Sequence, residues 1–221
     1  MTQGEKMFSG IVSDLGKVTL KKKIQEGYKF RVKSKSIAKQ LKKSGSVSIN
    51  GVCHTIVNKV NDEFEFVSMH ETLKKTNIGN LNVSDKVNLE NSLKIGEEIG
   101  GHLVAGHIDD TGIITSVRQL KSDNTKDDSD NWEYWIKIDK KHFPFVIYVG
   151  SIAIDGVSLT VAELKPVKGN IFEIKVAIIP YTYQNTLFGT YKVGDKVNIE
   201  FDFLGKYVQK ILESRPKLKR K

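Results

Sequence analysis

The sequence predicts an all-β protein made of two homologous domains, each a small antiparallel barrel or sandwich, followed by a short C-terminal α-helix. Three observations lead to this prediction: a long internal repeat, short segments in which apolar and polar residues alternate, and turn-forming residue pairs at short intervals. Such alternation is typical of strands, because successive side chains on a strand point to opposite faces.

The internal repeat is clearest in two blocks of sequence. Residues 46–57 align with residues 151–162 at an offset of 105, and five of the twelve aligned positions are identical. Residues 85–90 align with residues 195–200 at an offset of 110, and five of the six aligned positions are identical. The two halves of the chain are therefore related to each other.

The offset grows along the chain from 96, where Gly10 aligns with Gly106, to 105 and then to 110. The extra residues fall in the acidic stretch 121–131 and in the segment 165–170, and we expect both to be exposed turns. Insertions confined to turns leave the strands in register. The predicted boundaries are an N-terminal extension 1–6, a first domain 7–103, a second domain 104–203, and a helix with a basic tail 204–221.

Each domain contains several predicted strands separated by turns. The alternating segments are 46–49, 64–67 and 86–89 in the first domain, and 132–138 and 171–176 in the second. Turn-forming pairs lie beside them at Asn50-Gly51, Asn61-Asp62, Asp155-Gly156 and Gly169-Asn170. Short strands joined by frequent turns are typical of small β-barrels and sandwiches.

Two short helices are predicted. The first covers residues 37–43, with Ser36 as its N-cap and Gly45 after its end. The second covers residues 205–213, where apolar side chains recur at helical spacing. Its apolar stripe consists of Leu204, Tyr207, Val208, Ile211 and Leu212. Periodicity alone leaves two alternatives open, since the stripe could cover the second barrel or pack against another subunit.

The composition excludes several classes of protein. The 221 residues contain no run of eighteen apolar residues, which excludes a transmembrane helix, and the first residues lack the apolar region of a secretory signal. The single cysteine, Cys53, excludes an internal disulfide and any multi-cysteine metal site. We therefore expect a reducing, cytoplasmic setting and no association with a membrane.

The net charge of +9 raises the question of nucleic-acid binding. Nearly all of the excess is lysine, because the chain has only four arginines: Arg31, Arg118, Arg215 and Arg220. Arginine is the residue suited to bidentate recognition of phosphate. We therefore expect a solvated, lysine-rich surface and no nucleic-acid partner.

Five motifs, in order along the chain, carry a resemblance to a known family. They are MFSGIV at residues 7–12, NGVC at 50–53, ETLKKTNIG at 71–79, GGHLVAGHID at 100–109 and IDGVSLT at 154–160. Taken together they resemble the riboflavin synthase family over roughly residues 7–212. Several separate motifs in one order are far more specific than any single motif.

This resemblance implies a fold, an assembly and a reaction. Each repeat would be a six-stranded Greek-key antiparallel barrel that binds one lumazine. The chain would form a homotrimer with the help of its C-terminal helix, and each active site would lie between the first barrel of one subunit and the second barrel of a neighbour. Association with lumazine synthase is implied as well.

In the implied reaction, two molecules of 6,7-dimethyl-8-ribityllumazine dismutate, one donating a four-carbon unit to the other. The products are riboflavin and 5-amino-6-ribitylamino-2,4-pyrimidinedione. No metal or redox cofactor is expected, because the lumazine ring itself delocalises the carbanion formed at its methyl group. A non-catalytic lumazine- or flavin-binding protein of the same fold is the alternative, and the presence of Cys53 and His102 argues against it.

The matched motifs also imply the site residues. Catalytic roles fall to Cys53, His102, His107, Ser158 and Thr160. Substrate contacts fall to Gly10, Ile11, Val12, Ser46, Cys53, His54, Thr55, Val67, Ser68, Met69, His70, Glu71, Thr72, Gly106, His107, Ile108, Val149, Asp155, Ser158, Leu159, Thr160, Ala177, Ile178, Ile179, Pro180, Tyr181 and Thr182. No metal ligands are predicted, because the histidines do not cluster with further ligands.

Chemistry supports several of these roles, although each residue also has a purely structural reading. Cys53 could supply a thiolate nucleophile, with water as the alternative nucleophile, or be a small buried apolar residue. His102 and His107 could shuttle protons near neutral pH or only hydrogen-bond at the domain junction. Asp155 is either a polar contact to substrate or a turn residue like Asn50.

The chain departs from the family pattern at two of these positions. His54 stands where the family usually has leucine, which places another titratable group beside Cys53. Tyr181 replaces the usual glutamate or histidine before the threonine of the second domain, whereas the first domain keeps Glu71. The second pocket is therefore expected to be the weaker one.

Overall fold

The computed structural model describes residues 6–120 and 130–214, which form two closed six-stranded barrels. The strands of the first barrel are β1 Asp14–Ile24, β2 Gly27–Lys33, β3 Ser46–Ile49, β4 Val52–Val60, β5 Glu63–Met69 and β6 Lys86–Asn91. Those of the second are β7 Asp110–Leu120, β8 Asn131–Asp139, β9 Ser151–Ile154, β10 Val157–Lys168, β11 Ile171–Ile178 and β12 Lys196–Phe201.

The two barrels have the same topology. Around the first barrel the strand order is β1-β2-β5-β4-β3-β6, and the second follows the equivalent order β7-β8-β11-β10-β9-β12. All pairings are antiparallel, and the order is that of a Greek key. The predicted all-β class with two six-stranded Greek-key barrels is confirmed.

Each barrel is filled by the apolar side chains of alternating strand positions. In the first barrel, Phe30 of β2 stacks on Phe66 of β5 with ring centroids 5.2 Å apart, and both side chains are fully buried. In the second, Tyr134 of β8 meets Phe188 edge to face at 5.0 Å. Aromatic residues of this size contribute a large part of the burial that stabilises a small barrel.

The first helix, α1, differs from the prediction at both ends. It covers Lys35–Gln40, and its N-cap is Ser34, whose hydroxyl accepts a hydrogen bond from the backbone N–H of Ile37. Ser36 lies inside the helix and donates to Asp14 instead. The helix also stops before residue 43, because Leu41 adopts an extended conformation and turns its side chain into the core.

Two further helices, which the sequence did not indicate, occupy equivalent places in the two barrels. They are α2 His70–Lys75, directly after β5, and α3 Pro180–Asn185, after β11. Each is followed by a short 3-10 turn, at Ile78–Asn80 and Leu187–Gly189 respectively. A third 3-10 segment, Lys140–Phe145, follows β8.

The predicted C-terminal helix is confirmed as α4, Phe203–Ser214. All five side chains of its apolar stripe are more than half exposed, from Tyr207 at 67% to Leu212 at 55%. The stripe therefore does not cover the second barrel, which removes one of the two alternatives. None of the helices in the described ranges is both long enough and apolar enough to span a membrane.

The structure describes only part of the two insertions in the second repeat. The acidic stretch that was expected to form an exposed loop lies mostly outside the described residues, which omit 121–129. The segment 165–170 is only in part a turn, because β10 continues to Lys168 and the chain reverses at Gly169 and Asn170. This insertion lengthens the β10–β11 hairpin and shifts its register between Lys165 and Lys168.

The barrels meet at two tight turns that face each other. Gly51 and Gly156 both have positive φ, and a Cβ atom on Gly51 would lie 2.6 Å from the backbone nitrogen of Gly156. Only glycine permits this approach of two backbones. Beside the turns, Asn88 Nδ2 donates to the Asp155 carbonyl and Asn198 Nδ2 to the Asn50 carbonyl. The contact therefore has an approximate two-fold symmetry.

Candidate active site

Two segments cross between the barrels, and we call them strap 1, residues 7–13, and strap 2, residues 103–109. Each strap leads into the first strand of its own barrel. The straps pair with each other at Phe8 and Val104, whose backbone N–H groups donate to each other's carbonyls at 2.8 and 3.0 Å. Phe8, Val104 and Ala153 form a small buried apolar cluster around this crossing.

Each strap lies against the opposite barrel. The backbone N–H of Cys53, in the first barrel, donates to the Gly106 carbonyl of strap 2 at 2.9 Å. The backbone N–H of Ser158, in the second barrel, donates to the Gly10 carbonyl of strap 1 at 2.7 Å. A Cβ on either glycine would lie 2.6 Å from the Cβ of its partner, and both glycines have positive φ. Glycine is therefore required at both positions.

Strap 2 closes a cavity of about 220 Å³ on the first barrel, which we call pocket one. Its lining residues are Val52, Cys53, Glu71, Thr72, Lys75, Thr76, Gly106, His107 and Ile108. The structure thus brings together six residues that the sequence motifs had implied. Sequence reasoning missed Val52, Lys75 and Thr76, although Lys75 is the last residue of α2 and Thr76 is its C-cap, four residues after Glu71 and Thr72 respectively.

Cys53 lies half-buried in pocket one, and it is the only cysteine of the chain. Burial raises the pKa of its thiol, and a hydrogen bond with the Ser46 hydroxyl opposes that rise. The thiol is therefore protonated near neutral pH in the ligand-free protein. Thr55 lies two residues further along β4 and is exposed on the same face.

His54 and Ser68 were expected to contact substrate, but the structure places both inside the first barrel. His54 Nδ1 lies 3.0 Å from the Val52 carbonyl, and Nε2 lies 3.2 Å from the Ser68 hydroxyl. The reason is the alternation of β4, which turns His54 inward when Cys53 faces the pocket. Burial lowers the pKa of His54 to about 4, so the ring is neutral at physiological pH.

Pocket two is the equivalent region of the second barrel, around Ser158. The Ser158 hydroxyl lies 2.7 Å from Nδ1 of His102. His102 belongs to the segment that connects the two barrels, directly before strap 2. Burial lowers the pKa of His102, against an opposing effect of the Asp202 carboxylate. A neutral imidazole hydrogen-bonded to a hydroxyl is able to accept a proton. Thr160 is exposed on the same face of β10 as Ser158.

The two histidines that the sequence treated together therefore belong to different pockets. Strap 2 carries His107 to pocket one, whereas His102 contacts Ser158 in pocket two. The remaining candidates divide in the same way. Val67, Met69 and His70 lie at the junction of β5 and α2, and Ala177, Ile178, Ile179, Pro180, Tyr181 and Thr182 at the junction of β11 and α3.

The candidates of the second barrel differ widely in exposure. Ile178 is fully buried in the core of the second barrel, whereas Tyr181 is 70% exposed at the start of α3. Leu159 is half-buried and packs against that same core. Val149 lies in the exposed turn before β9 with a φ of 60°, a conformation that β-branched residues rarely adopt.

Asp155 lies between the barrels, and none of its side chain is exposed to either pocket. Its carboxylate accepts hydrogen bonds from the Tyr191 hydroxyl, from Asn77 Nδ2 at 2.9 Å and from the Asn198 N–H at 2.9 Å. Burial raises the pKa of this carboxyl to about 7. Its burial and these hydrogen bonds indicate a structural role, like that of Asn50 in the first repeat.

Comparison with known proteins agrees with this architecture. The family model described as lumazine binding domain matches residues 9–92 and 105–202, one match per barrel. The riboflavin synthase of Actinobacillus pleuropneumoniae is 34% identical over 210 residues, which are 95% of this chain and 92% of that protein. The chain belongs to the riboflavin synthase family.

Other members of the riboflavin synthase family are similarly close. The enzyme of Buchnera aphidicola subsp. Schizaphis graminum is 38% identical over 217 residues, 97% of each chain. That of Mycobacterium bovis is 34% identical over 210 residues, covering 94% of this chain and 99% of the relative. This similarity extends over nearly the whole chain.

Solved structures share the fold. LumP complexed with riboflavin superposes with a TM-score of 0.74 at 23% identity, covering 88% of this chain and 99% of LumP. LumP complexed with 6,7-dimethyl-8-(1'-D-ribityl) lumazine gives a TM-score of 0.72 at the same identity and coverage. Among residues 6–120 and 130–214, no three His, Cys, Asp or Glu side chains group as metal ligands.

Proposed function

We propose that this protein catalyses the dismutation of two molecules of 6,7-dimethyl-8-ribityllumazine to riboflavin and 5-amino-6-ribitylamino-2,4-pyrimidinedione. The observation that carries the proposal is that the chain repeats one arrangement, in which the strap of one barrel hydrogen-bonds to Cys53 or Ser158 of the other barrel, with a cavity beside Cys53. A reaction between two identical molecules requires two similar binding sites. Holding both rings in near-attack geometry can contribute about 7–11 kcal/mol.

The two pockets provide unequal chemistry, as a donor and an acceptor require. In pocket two, the neutral His102 accepts a proton through the Ser158 hydroxyl, and its natural source is the acidic methyl group of a bound lumazine. In pocket one, Cys53 lines the wall in its protonated form, with His107 opposite on strap 2. Thr55 and Thr160 offer hydroxyls to the ring edge or to the ribityl chain.

Catalysis on this scheme requires more than one subunit. We assign the active site to the junction of the first barrel of one subunit with the second barrel of a neighbour, in a homotrimer. The exposed apolar stripe of α4 supports this assembly, because an apolar face of that size is unfavourable in water. Two further statements belong to the same proposal: a cytoplasmic location, which is expected from the single cysteine, and an association with lumazine synthase, which the family resemblance implies.

A second candidate function is the storage or carriage of one lumazine or flavin without chemistry. The observation that favours it is Tyr181, which faces solvent where the first barrel has Glu71. Two observations favour the enzyme. Relatives named riboflavin synthase match nearly the whole chain, and His102 and Ser158 form a hydrogen-bonded pair.

One experiment separates the two functions. Purified protein is incubated anaerobically with 6,7-dimethyl-8-ribityllumazine and a chelator, and riboflavin is followed by its absorbance. We expect riboflavin to form without metal, nucleotide or oxygen, and calorimetry with riboflavin to show two sites per chain. A single site per chain, together with no riboflavin, would identify a carrier.

A further inference from the structure

Two glutamates hold the straps in place, one at the end of each barrel. Glu90 on β6 accepts hydrogen bonds from the Ser9 N–H at 2.6 Å, the Ser9 hydroxyl at 2.7 Å and the Gly10 N–H at 3.1 Å. All three donors belong to strap 1. The carboxylate is 5% exposed, so these bonds replace water almost completely.

The equivalent residue of the second barrel does the same for strap 2. Glu200 on β12 accepts from the Ala105 N–H at 2.8 Å and from the Gly106 N–H at 3.0 Å, one donor on each carboxylate oxygen. It is 2% exposed. Buried carboxylates are rare unless they are satisfied in this manner, and each is hydrogen-bonded to the backbone of a strap rather than directed into pocket one or pocket two.

The consequence is a crossed arrangement. Glu200 belongs to the second barrel, but the carbonyl of the glycine it holds accepts the N–H of Cys53 in pocket one. Glu90 belongs to the first barrel, but the carbonyl of Gly10 accepts the N–H of Ser158 in pocket two. Each carboxylate thus holds a strap glycine, and the carbonyl of that glycine accepts a hydrogen bond from a residue in the substrate pocket of the other barrel.

We propose that Glu90 and Glu200 are positioning residues, each of which fixes the strap that completes the pocket of the opposite barrel. They touch no substrate and act through the backbone of residues 9–10 and 105–106. As a statement about substrate pockets, the proposal rests on the proposed function. Its test is made on the ligand-free protein, so that the two can fail separately.

The test measures how fast the thiolate in each pocket reacts with 5,5'-dithiobis(2-nitrobenzoic acid). Each rate is corrected for the thiol pKa measured in the same variant, because the Glu200 carboxylate also raises the pKa of Cys53. Cys53 reports on pocket one in the otherwise unchanged chain, where it is the only thiol. The double variant Cys53→Ser, Ser158→Cys places the only thiol in pocket two. Glu90→Gln and Glu200→Gln are introduced into both backgrounds, and circular dichroism and thermal melting confirm that each variant is folded.

Glutamine keeps the shape of the side chain but presents an amide N–H to one of the strap N–H groups, which then loses its acceptor. We expect Glu200→Gln to raise the labelling rate of Cys53 about fivefold, since one lost hydrogen bond shifts the opening equilibrium of the strap by that factor. Glu90→Gln should change it less than about twofold. In the Ser158→Cys background the two effects should be reversed.

A second pair of variants covers the case in which a glutamine variant does not fold. Gly106→Ala should push strap 2 away from Cys53 and reproduce the effect of Glu200→Gln, whereas Gly10→Ala should act on the Ser158→Cys thiol. The proposal is overturned if each substitution changes the labelling rate of the thiol in its own barrel, changes the rates of both thiols equally, or changes neither rate. If the parent chain forms no riboflavin while the variants show the crossed labelling pattern, the result counts against the proposed function alone.

Discussion

Cys53 and His54 are adjacent in the sequence and have opposite environments in the structure. Cys53 lies in pocket one, and His54 is 5% exposed inside the barrel. The pleat of β4 is the cause, because neighbouring side chains of a strand cannot face the same side. The extra titratable group beside Cys53 is thereby kept out of the site and held neutral.

The first prediction concerns the contribution of Cys53 to turnover. Cys53→Ser should lower the rate of riboflavin formation severalfold or more, because the substitution changes the wall of pocket one and leaves the core intact. Steady-state absorbance measures the rate, and circular dichroism verifies the fold. His54→Leu, one position away, is the control and should keep most of the activity. An unchanged rate in Cys53→Ser would return Cys53 to a structural role.

The second prediction concerns the ionisation of the same thiol. Because burial raises its pKa, the rate of alkylation of Cys53 by iodoacetamide should reach half of its maximum at a higher pH than that of free cysteine. The measurement is made on ligand-free protein, with free cysteine as the reference. A midpoint below that of free cysteine would mean that the pocket prepares a thiolate.

At the scale of elements, α4 is attached to the second barrel by only a few contacts. Lys206 Nζ binds both carboxylate oxygens of Asp109, at 2.9 and 2.8 Å, and Asp109 also accepts from the Phe201 N–H at 2.9 Å. These bonds fix the start of the helix at the end of strap 2. They leave its apolar stripe facing outward.

The third prediction tests the role of that stripe. Deleting residues 204–221 should release monomers and abolish riboflavin formation, because each proposed active site requires two chains. Light scattering measures the molar mass and absorbance measures the activity. Deleting only residues 215–221, which removes the basic tail and keeps the stripe, is the matched control and should preserve the assembly. An intact trimer after the longer deletion would exclude α4 from the interface.

At the scale of the whole molecule, the contact between the barrels is polar and buried. Asn77, Asn198 and Asp155 are each buried at this contact. The Asn77 side chain of the first barrel hydrogen-bonds the side chains of both Asp155 and Asn198 of the second, and the Asn198 backbone N–H donates to the Asp155 carboxylate. Asp155 differs from Asn50, its counterpart in the first repeat, by its titratable carboxyl. This difference makes the stability of the pair of barrels depend on pH.

The fourth prediction follows from the raised pKa of Asp155. The folded protein keeps a proton on this group up to about pH 7, whereas the unfolded chain loses it near pH 3.8. Unfolding therefore releases a proton between these values, and this contribution to the free energy of unfolding decreases as the pH rises through that window. Asp155→Asn removes the effect and should gain a few kcal/mol relative to the parent chain between about pH 4 and 7.

Urea denaturation at several pH values measures this difference. His54 and Glu200 are present in both chains, so their own titrations cancel in the comparison. Glu98→Gln, at an exposed position, is the control and should follow the parent chain at every pH. A free-energy difference between Asp155→Asn and its parent that does not change with pH would show that Asp155 is ionised in the fold throughout.

Alternation, helical spacing and the internal repeat predicted an all-β chain of two related domains with a C-terminal helix, and the family resemblance implied the six-stranded Greek-key barrels. It also identified most of pocket one, including Cys53, Glu71 and Thr72. These features are carried by local periodicity and by motifs, which are properties of neighbouring residues. The end of α1 was predicted less well, because Leu41 left the helix to fill the core.

Which residues act together is known only from the three-dimensional arrangement of the two barrels. In the structure His107 lines pocket one, whereas His102 contacts Ser158 in pocket two. Asp155 is buried between the barrels, and Glu90 and Glu200 accept hydrogen bonds from the straps. The repeated motif that ends at these glutamates was visible in the sequence, but the hydrogen bonds join residues 80 to 95 positions apart. Such contacts form because the two straps, which lead into the barrels, cross between them. No local sequence pattern encodes that crossing.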